Sequence, residues 1–175
     1  MARALCPWKL MLSAAGVMVE HRSLVNMVTD NQLQCKFVPE DVFIQNFSIA
    51  FDGSMLDFFV PLSVGACVVP AEKRAKQDAA RFLRQMVAFG VTVAAGVPSE
   101  LQLWLASGVE RVAGLRLRWL VFGGEALPPV VMQNVLRPFP GCQLLYMYGP
   151  TEVSVCLGLQ LHILLASSSC CELHD

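Results

Sequence analysis

A turn that presents a hydroxyl and a carboxylate side by side follows an apolar run late in the chain. The stretch is YMYGPTEVSVC, residues 146–156. Gly149 and Pro150 end any regular structure, and Thr151 and Glu152 follow at once. Such a pair suits phosphate and a hard cation, because the hydroxyl donates to an oxyanion and the carboxylate is an oxygen ligand for magnesium. The alternative is that both side chains only cap the turn.

Two further polar turns follow apolar runs. AFDGS, residues 50–54, sets Asp52 before a glycine, where it is either a turn residue or N-cap, or a carboxylate that pairs with a ligand cation. FGGEAL, residues 122–127, holds two glycines that either make a tight turn or let a flat ligand approach the backbone. Glu125 there is either an acid favoured early in a helix or part of a site. Tyr148 either stacks on an aromatic ring or packs.

Predicted strands and helices alternate along the chain with short connections. Helical spacing of apolar residues predicts helices over residues 20–33, 54–65, 75–90, 98–108 and 128–139. Alternation of apolar and polar residues predicts a strand over residues 42–51. Short apolar runs predict strands over residues 66–70, 91–97, 115–124 and 142–147. This alternation indicates the α/β class, with a parallel sheet and crossover helices.

Capping residues support the predicted helix ends. Ser54 is the N-cap candidate of the helix over 54–65, and Pro98 or Ser99 begins the helix over 98–108. Gly90 is the C-cap candidate of the helix over 75–90. The apolar face of that helix comprises Phe82, Leu83, Met86 and Phe89.

The polar turns all follow strands of the predicted parallel sheet. Ligands bind beyond the carboxyl ends of strands in such sheets. Residues 95–97 end a fourth strand, so we expect four strand ends to gather on one edge. This edge is the predicted site.

Composition excludes several classes of protein. The 175 residues carry a formal net charge of -1 and no basic stripe, which argues against nucleic-acid binding. They are 55% hydrophobic, yet the most apolar stretches are shorter than the roughly 20 residues of a membrane span. Seven irregularly spaced cysteines fit reduced thiols and a cytoplasmic location. Residues 157–175 show no clear period and form an unassigned tail.

Four motifs together resemble a known family. They are GVMVEHRSLVNMV, FDGSMLDFFVPLSVGACVVP, LRLRWLVFGGEALP and YMYGPTE. In this order and spacing they resemble the adenylation domains of nonribosomal peptide synthetases, within the adenylate-forming superfamily that includes acyl-CoA synthetases. The resemblance covers residues 16–156 and implies a partial AMP-binding domain. The implied fold is the parallel-sheet portion of the large N-terminal subdomain, with helices on both faces.

The resemblance implies an activity and its partners. Such domains activate an amino acid with ATP and Mg²⁺, giving an aminoacyl-adenylate and pyrophosphate. They pass the aminoacyl group to the phosphopantetheine thiol of a peptidyl carrier protein, beside neighbouring synthetase domains. No nucleic acid and no membrane takes part.

The resemblance also implies roles for individual residues. Asp52 would pair with the α-ammonium group of the substrate. An apolar side-chain pocket would be lined by Gly53, Leu56, Ala95, Val121, Gly123, Met147, Val155 and Cys156. The adenine would be framed by Gly124, Glu125, Ala126 and Tyr148. Thr151 would meet the phosphate, and Glu152 would hold magnesium.

The sequence departs from the family pattern at three places. Residues 1–15 replace the phosphate loop, a Ser/Thr/Gly run that ends in Lys-Pro-Lys-Gly, with a segment that has one hydroxyl before GVMVEH. Tyr146 stands where an Asn commonly precedes the YGPTE motif. The ribose-binding Asp, the hinge and the C-terminal subdomain with its catalytic lysine are not found in these residues. We therefore expect a fragment that is inactive as an isolated chain.

Two alternatives remain open at this point. The chain is either part of an acyl- or aryl-acid ligase of the same superfamily, against which Asp52 argues, or a non-catalytic module that binds nucleotide or a partner. An activity screen with fatty acids separates the first alternative from amino-acid activation.

Overall fold

The computed structural model describes residues 16–108, 113–128, 135, 138, 139, 141–151 and 157–161. Within these ranges six strands form one sheet in the order β2-β1-β3-β4-β5-β6. They are β1 (Val42–Gln45), β2 (Cys67–Pro70), β3 (Val93–Gly96), β4 (Trp119–Gly123), β5 (Gln143–Tyr148) and β6 (Leu157–Leu161). The first five are parallel, as predicted. β6 pairs antiparallel with β5, with Tyr148 opposite Leu157. It lies in the segment that the sequence left unassigned.

Four helices lie close to their predicted positions. They are α1 (His21–Cys35), α2 (Gly53–Val64), α3 (Ala79–Ala88) and α4 (Pro98–Ala106), with a short 3-10 helix at Ala75–Gln77. The helix predicted over 128–139 falls largely outside the described residues. Gly90 follows α3 with a φ of 63°, the left-handed conformation that favours glycine after a helix.

The N-cap prediction for α2 was wrong. Asp52 is the N-cap, and its side chain accepts a hydrogen bond from the backbone N–H of Gly53. Ser54 lies inside the helix, and its hydroxyl donates to the carbonyl of Phe51. The predicted apolar face of α3 holds for Phe82, Leu83 and Met86, whereas Phe89 follows the helix and is 55% exposed.

Helices cover both faces of the sheet, because the strands alternate their side chains between two apolar clusters. One cluster joins α1 and α2 to Phe43, Val93, Trp119, Val121 and Leu145. The other joins α3 and α4 to Ile44, Ala94, Leu120, Phe122 and Leu144. A strand buried on both faces has an apolar side chain at nearly every position, which explains the continuous apolar runs in the sequence.

β1 is shorter than the strand predicted over residues 42–51. It ends at Gln45, and the backbone N–H groups of Asn46 and Phe47 donate to the carboxylate of Asp57. These bonds replace the strand ladder, so the chain leaves the sheet at this point.

Two further properties of the described residues bear on function. None of the described helices is long and apolar enough to cross a membrane. The three cysteines that the structure describes, Cys35, Cys67 and Cys142, are free thiols. Burial raises the pKa of Cys35 and of Cys142 to about 12, so neither is an effective nucleophile at neutral pH.

Candidate functional site

The carboxyl ends of four parallel strands meet at one edge of the sheet. β1, β3, β4 and β5 are neighbours in that order. The loop after β1, residue 97 after β3, and the turns at 124–126 and 149–151 therefore leave the sheet on the same side. This is the edge where the sequence predicted a site, and it is where ligands bind in open parallel sheets.

Asp52 lies on this edge at the N-terminus of α2. One carboxylate oxygen accepts the N–H of Gly53 across 2.9 Å, and the side chain is exposed. The N-cap role is thus present in the structure. A carboxylate has further acceptor positions, so the cap leaves room for a ligand cation.

Predicted pocket residues lie together on one face of the sheet. Leu56, Ala95, Val121 and Met147 belong to the cluster beneath α2, and each is 7% exposed or less. Val155 and Cys156 lie outside the described residues. These four side chains therefore belong to the buried apolar cluster on the α2 face of the sheet, and the first residue of α2 follows Asp52.

Two predicted pocket glycines sit where a side chain would clash. A Cβ on Gly53 would lie 2.9 Å from the ring of Phe47. A Cβ on Gly123 would lie 2.6 Å from the carbonyl oxygen of Met147 on the neighbouring strand. Glycine is required at position 123 because the backbone of β5 is so close.

The turn after β4 is tied to two other elements. Gly124 has a φ of 81°. The carboxylate of Glu125 accepts the backbone N–H and the hydroxyl of Ser99, each across 3.0 Å. Tyr146, at the position of the family's Asn, donates its hydroxyl to the carbonyl of Glu125 across 2.6 Å. Ala126 follows Glu125 and is exposed.

The turn after β5 lies beside the β4 turn. Tyr148 is 70% exposed, so its ring is accessible from solvent. Thr151 is half-buried, and Glu152 lies outside the described residues. Among the described residues no group of three or more His, Cys, Asp and Glu side chains could hold a metal ion. The magnesium role of Glu152 stays a prediction.

A polar cluster at the end of β1 was not predicted. The side-chain amide of Asn46 donates to the carbonyl of Ala95 across 3.1 Å and to Glu100 across 2.9 Å. Lys76 donates to the carbonyl of Asn46 across 2.5 Å. Asp57 completes the cluster through the N–H groups of residues 46 and 47. The one sequence signal was an aspartate inside the apolar run SMLDFFV.

Asp57 is the most perturbed carboxyl group among the described residues. It is 1% exposed. Burial raises its pKa to about 7, and the charge of Glu100 adds to this effect. The N–H groups of Phe47 and Asn46 and the ammonium group of Lys76 act in the opposite direction. Asp57 thus exchanges its proton near neutral pH.

Comparison with known proteins identifies related sequences. The model of the AMP-binding enzyme family matches residues 14–170. Tyrocidine synthase 3 of Brevibacillus parabrevis is 38% identical over 80% of this chain, which corresponds to 2% of that protein. Enterobactin synthase component F of Shigella flexneri is 34% identical over 80% of this chain and 11% of its own length. The chain thus spans a small part of the curated relatives that it matches.

Solved structures share the fold. The crystal structure of IdnL7 superposes with a TM-score of 0.76 and 30% identity, over 87% of this chain and 31% of its own. The nonribosomal peptide synthetase FmoA3 gives a TM-score of 0.75 and 27% identity, over 84% of this chain and 16% of its own. The chain therefore belongs to the AMP-binding enzyme family, and within it the chain is similar to nonribosomal peptide synthetase adenylation domains over part of their length.

Proposed function

We propose that the carboxyl edge of the sheet is the substrate and nucleotide site of an adenylation domain that activates an apolar α-amino acid with ATP. The proposal depends on the position of Asp52 at the start of α2, on the face of the sheet where Ala95, Val121 and Met147 lie in one apolar cluster. An amino acid matches this arrangement, because its ammonium group needs an anion and its side chain needs apolar contacts.

Asp52 supports an amino acid rather than an acyl or aryl acid. A carboxylate at a substrate site attracts an ammonium group, whereas a fatty or aryl acid brings no cation to offset the desolvation of that carboxylate. Since Asp52 is exposed, the substrate must cover it for the ion pair to gain strength. The apolar cluster beneath α2 favours an aliphatic or aromatic side chain in the substrate.

The nucleotide belongs at the adjoining turns. The chain offers an exposed aromatic ring at Tyr148, a left-handed glycine at Gly124 and the hydroxyl residue Thr151. We assign the adenine to Gly124, Glu125, Ala126 and Tyr148, the phosphate to Thr151, and Mg²⁺ to Glu152. The carboxylate of Glu125 is engaged with Ser99, so its contribution to adenine binding is the shape of the turn. When bound, ATP would supply the adenylyl group: a carboxylate oxygen of the amino acid would bond to the α-phosphorus, and the bond from that phosphorus to pyrophosphate would break.

These 175 residues alone are proposed to bind ligands without turnover. Segment 9–15 has one hydroxyl and lacks the Lys-Pro-Lys-Gly of the family's phosphate loop. Without those donors the β- and γ-phosphates are not neutralised. Transfer to a carrier-protein phosphopantetheine belongs, in this proposal, to a parent synthetase.

A non-catalytic partner-binding role is the second candidate. α2 exposes Met55, Phe59 and Leu62 at helical spacing, and Phe51 before it is 66% exposed. An exposed apolar stripe of this kind is typical of a surface that contacts other protein. Partner binding without amino-acid binding would favour this role.

Calorimetric titration of the 175-residue chain with AMP and a panel of amino acids tests the proposal. We expect binding of apolar amino acids that Asp52→Ala and Asp52→Asn both abolish. Asn caps helices as well as Asp does, so Asp52→Asn keeps the stability of α2, whereas Asp52→Ala costs about 1 kcal/mol. Unchanged amino-acid binding in both variants, or preference for fatty acids, contradicts the proposal.

Pyrophosphate exchange tests turnover separately. We expect no amino-acid-dependent exchange with the 175-residue chain. A chimera that carries the phosphate loop and C-terminal subdomain of a relative should show exchange that depends on Asp52. Exchange by the 175-residue chain itself would show that those parts are dispensable.

A further inference from the structure

The loop that carries Asp52 is anchored at its beginning by a residue of the helix that follows it. One oxygen of Asp57, Oδ2, lies 2.9 Å from the backbone nitrogen of Asn46 and 2.7 Å from that of Phe47. Asp57 lies in α2, five residues after the N-cap residue Asp52. The segment from Asn46 to Asp57 is therefore closed into a ring by these two hydrogen bonds.

The loop is fixed to the sheet and to α4 as well. The side-chain amide of Asn46 donates to Ala95 on β3 and to Glu100 on α4, across 3.1 and 2.9 Å. Lys76 donates to the carbonyl of Asn46. Asn46 is 7% exposed, so these bonds replace water rather than compete with it. The first residue of the loop thus has a defined position.

Phe47 connects the anchored loop to the proposed pocket, because its side chain contacts Gly53. Its ring lies against Gly53, where an added Cβ would meet three ring carbons at 2.9 to 3.0 Å. The backbone of Phe47 is one of the two groups that Asp57 holds. A shift of Phe47 therefore changes the space beside Gly53, next to Asp52.

We propose that Asp57 is a positioning residue that fixes the 46–52 loop, and that Phe47, held in this way, limits the substrate side chain beside Gly53. This inference rests on the proposed function, since it assigns the space beside Gly53 to the substrate. Asp57 itself is buried and acts through the loop, without contact to substrate.

Two variants separate the hydrogen bonds from the charge of Asp57. Asp57→Ala removes both bonds, whereas Asp57→Asn retains an amide oxygen that can accept both N–H groups. We expect amide hydrogen exchange at residues 46 and 47 to accelerate at least about 10-fold in Asp57→Ala, with amino-acid affinity about 10-fold weaker and AMP affinity unchanged within about 2-fold. Asp57→Asn should stay within about 3-fold of wild type in all three measurements.

Asp41→Ala is the matched control. Asp41 is also 1% exposed and precedes β1, at the opposite edge of the sheet. Its loss should lower stability and leave relative amino-acid and AMP affinities unchanged. An effect of Asp57→Ala on both ligands equally, or an Asp57→Asn variant as impaired as Asp57→Ala, overturns the positioning role.

A third variant tests the pocket without removing Asp57. Phe47→Ala should shift preference toward larger apolar amino acids by about 10-fold, because space opens beside Gly53. Unchanged preference overturns the role of Phe47. If wild-type protein binds no amino acid at all, the proposed function fails and this inference fails with it. If wild type binds and none of the variants changes binding, only this inference fails.

Discussion

Glu125 accepts both the backbone N–H and the side-chain hydroxyl of Ser99, although 26 residues separate them in sequence. Ser99 is in the first turn of α4, where N–H groups have no partner within the helix. The carboxylate satisfies one of them and lies at the positive end of the helix dipole. The turn after β4 and the beginning of α4 are thereby held together at the edge of the sheet.

Loss of the hydrogen bonds between Glu125 and Ser99 should free the turn after β4 while lowering the stability of the whole fold only modestly. Both residues are exposed, so Glu125→Ala should reduce the free energy of unfolding by about 1 kcal/mol. A double-mutant cycle with Ser99→Ala, measured by urea unfolding, should give a coupling energy of about 0.5–1 kcal/mol. Ser107→Ala, at the other end of α4, is the control and should show no coupling to Glu125. Additive effects at positions 99 and 125 would contradict the bond.

Substitution of Gly123 should force β4 and β5 apart. In Gly123→Ala the new Cβ would lie 2.6 Å from the carbonyl oxygen of Met147, which is backbone and cannot rotate away. We expect a loss of about 1–3 kcal/mol in urea unfolding. Gly16→Ala is the matched control, because its Cβ would meet nothing within 4 Å. Equal stability of the two variants would show that the strands separate without cost.

The sheet was predictable because its strands carry a local signal. Each of the five parallel strands is a short run with apolar side chains on both faces, and strand–helix alternation fixes a parallel sheet. Even the convergence of the polar turns followed from topology alone. β6 had no comparable local signal. It is defined by its antiparallel pairing with β5, which is a contact in space and not a pattern within the segment itself.

The strand over residues 42–51 was predicted too long because side chains far away in sequence determine the backbone conformation there. Residues 46–51 alternate like a strand, yet Ile49 and Phe51 are 83% and 66% exposed. The strand ends because Asp57, eleven residues from Asn46, takes the N–H of that residue. The Asn46–Glu100 bond spans 54 residues. No periodicity within a short window contains that information.

The ion pair between Asp41 and Arg118 should be important for stability. Arg118 donates to both oxygens of Asp41, across 2.6 and 2.7 Å, and Asp41 is 1% exposed. Arg118→Ala would leave a buried carboxylate without its cation, and we expect a loss of about 2–4 kcal/mol. This is below the full cost of a buried pair, because the Arg118 side chain is 44% exposed.

An exposed ion pair provides the comparison for Arg118. Arg81 and Glu72 pair at 2.8 Å with side chains 47% and 56% exposed. Arg81→Ala should cost under about 0.5 kcal/mol in the same urea titration. Similar losses for the two arginine variants would mean that burial of Asp41 does not decide the energy.

Stability should depend on pH through Asp57. Its pKa is about 7 in the folded chain against 3.8 for the ordinary group, chiefly because of burial. The folded state therefore holds this proton over a range where the unfolded state has lost it. The stabilising contribution of protonated Asp57 to the free energy of unfolding is fully present below about pH 4 and is lost as pH rises through about 7.

Asp57→Asn isolates this effect because asparagine does not titrate. Relative to Asp57→Asn, wild type should lose about 4 kcal/mol of unfolding free energy between pH 4 and pH 8. Urea unfolding of both proteins at each pH unit measures the difference. Asp57→Ala should differ from Asp57→Asn by a constant amount across the range, because neither titrates and only the hydrogen bonds differ. Parallel curves for wild type and Asp57→Asn would mean that Asp57 ionises in the folded chain as it does in water, and that its burial is relieved by water at the loop.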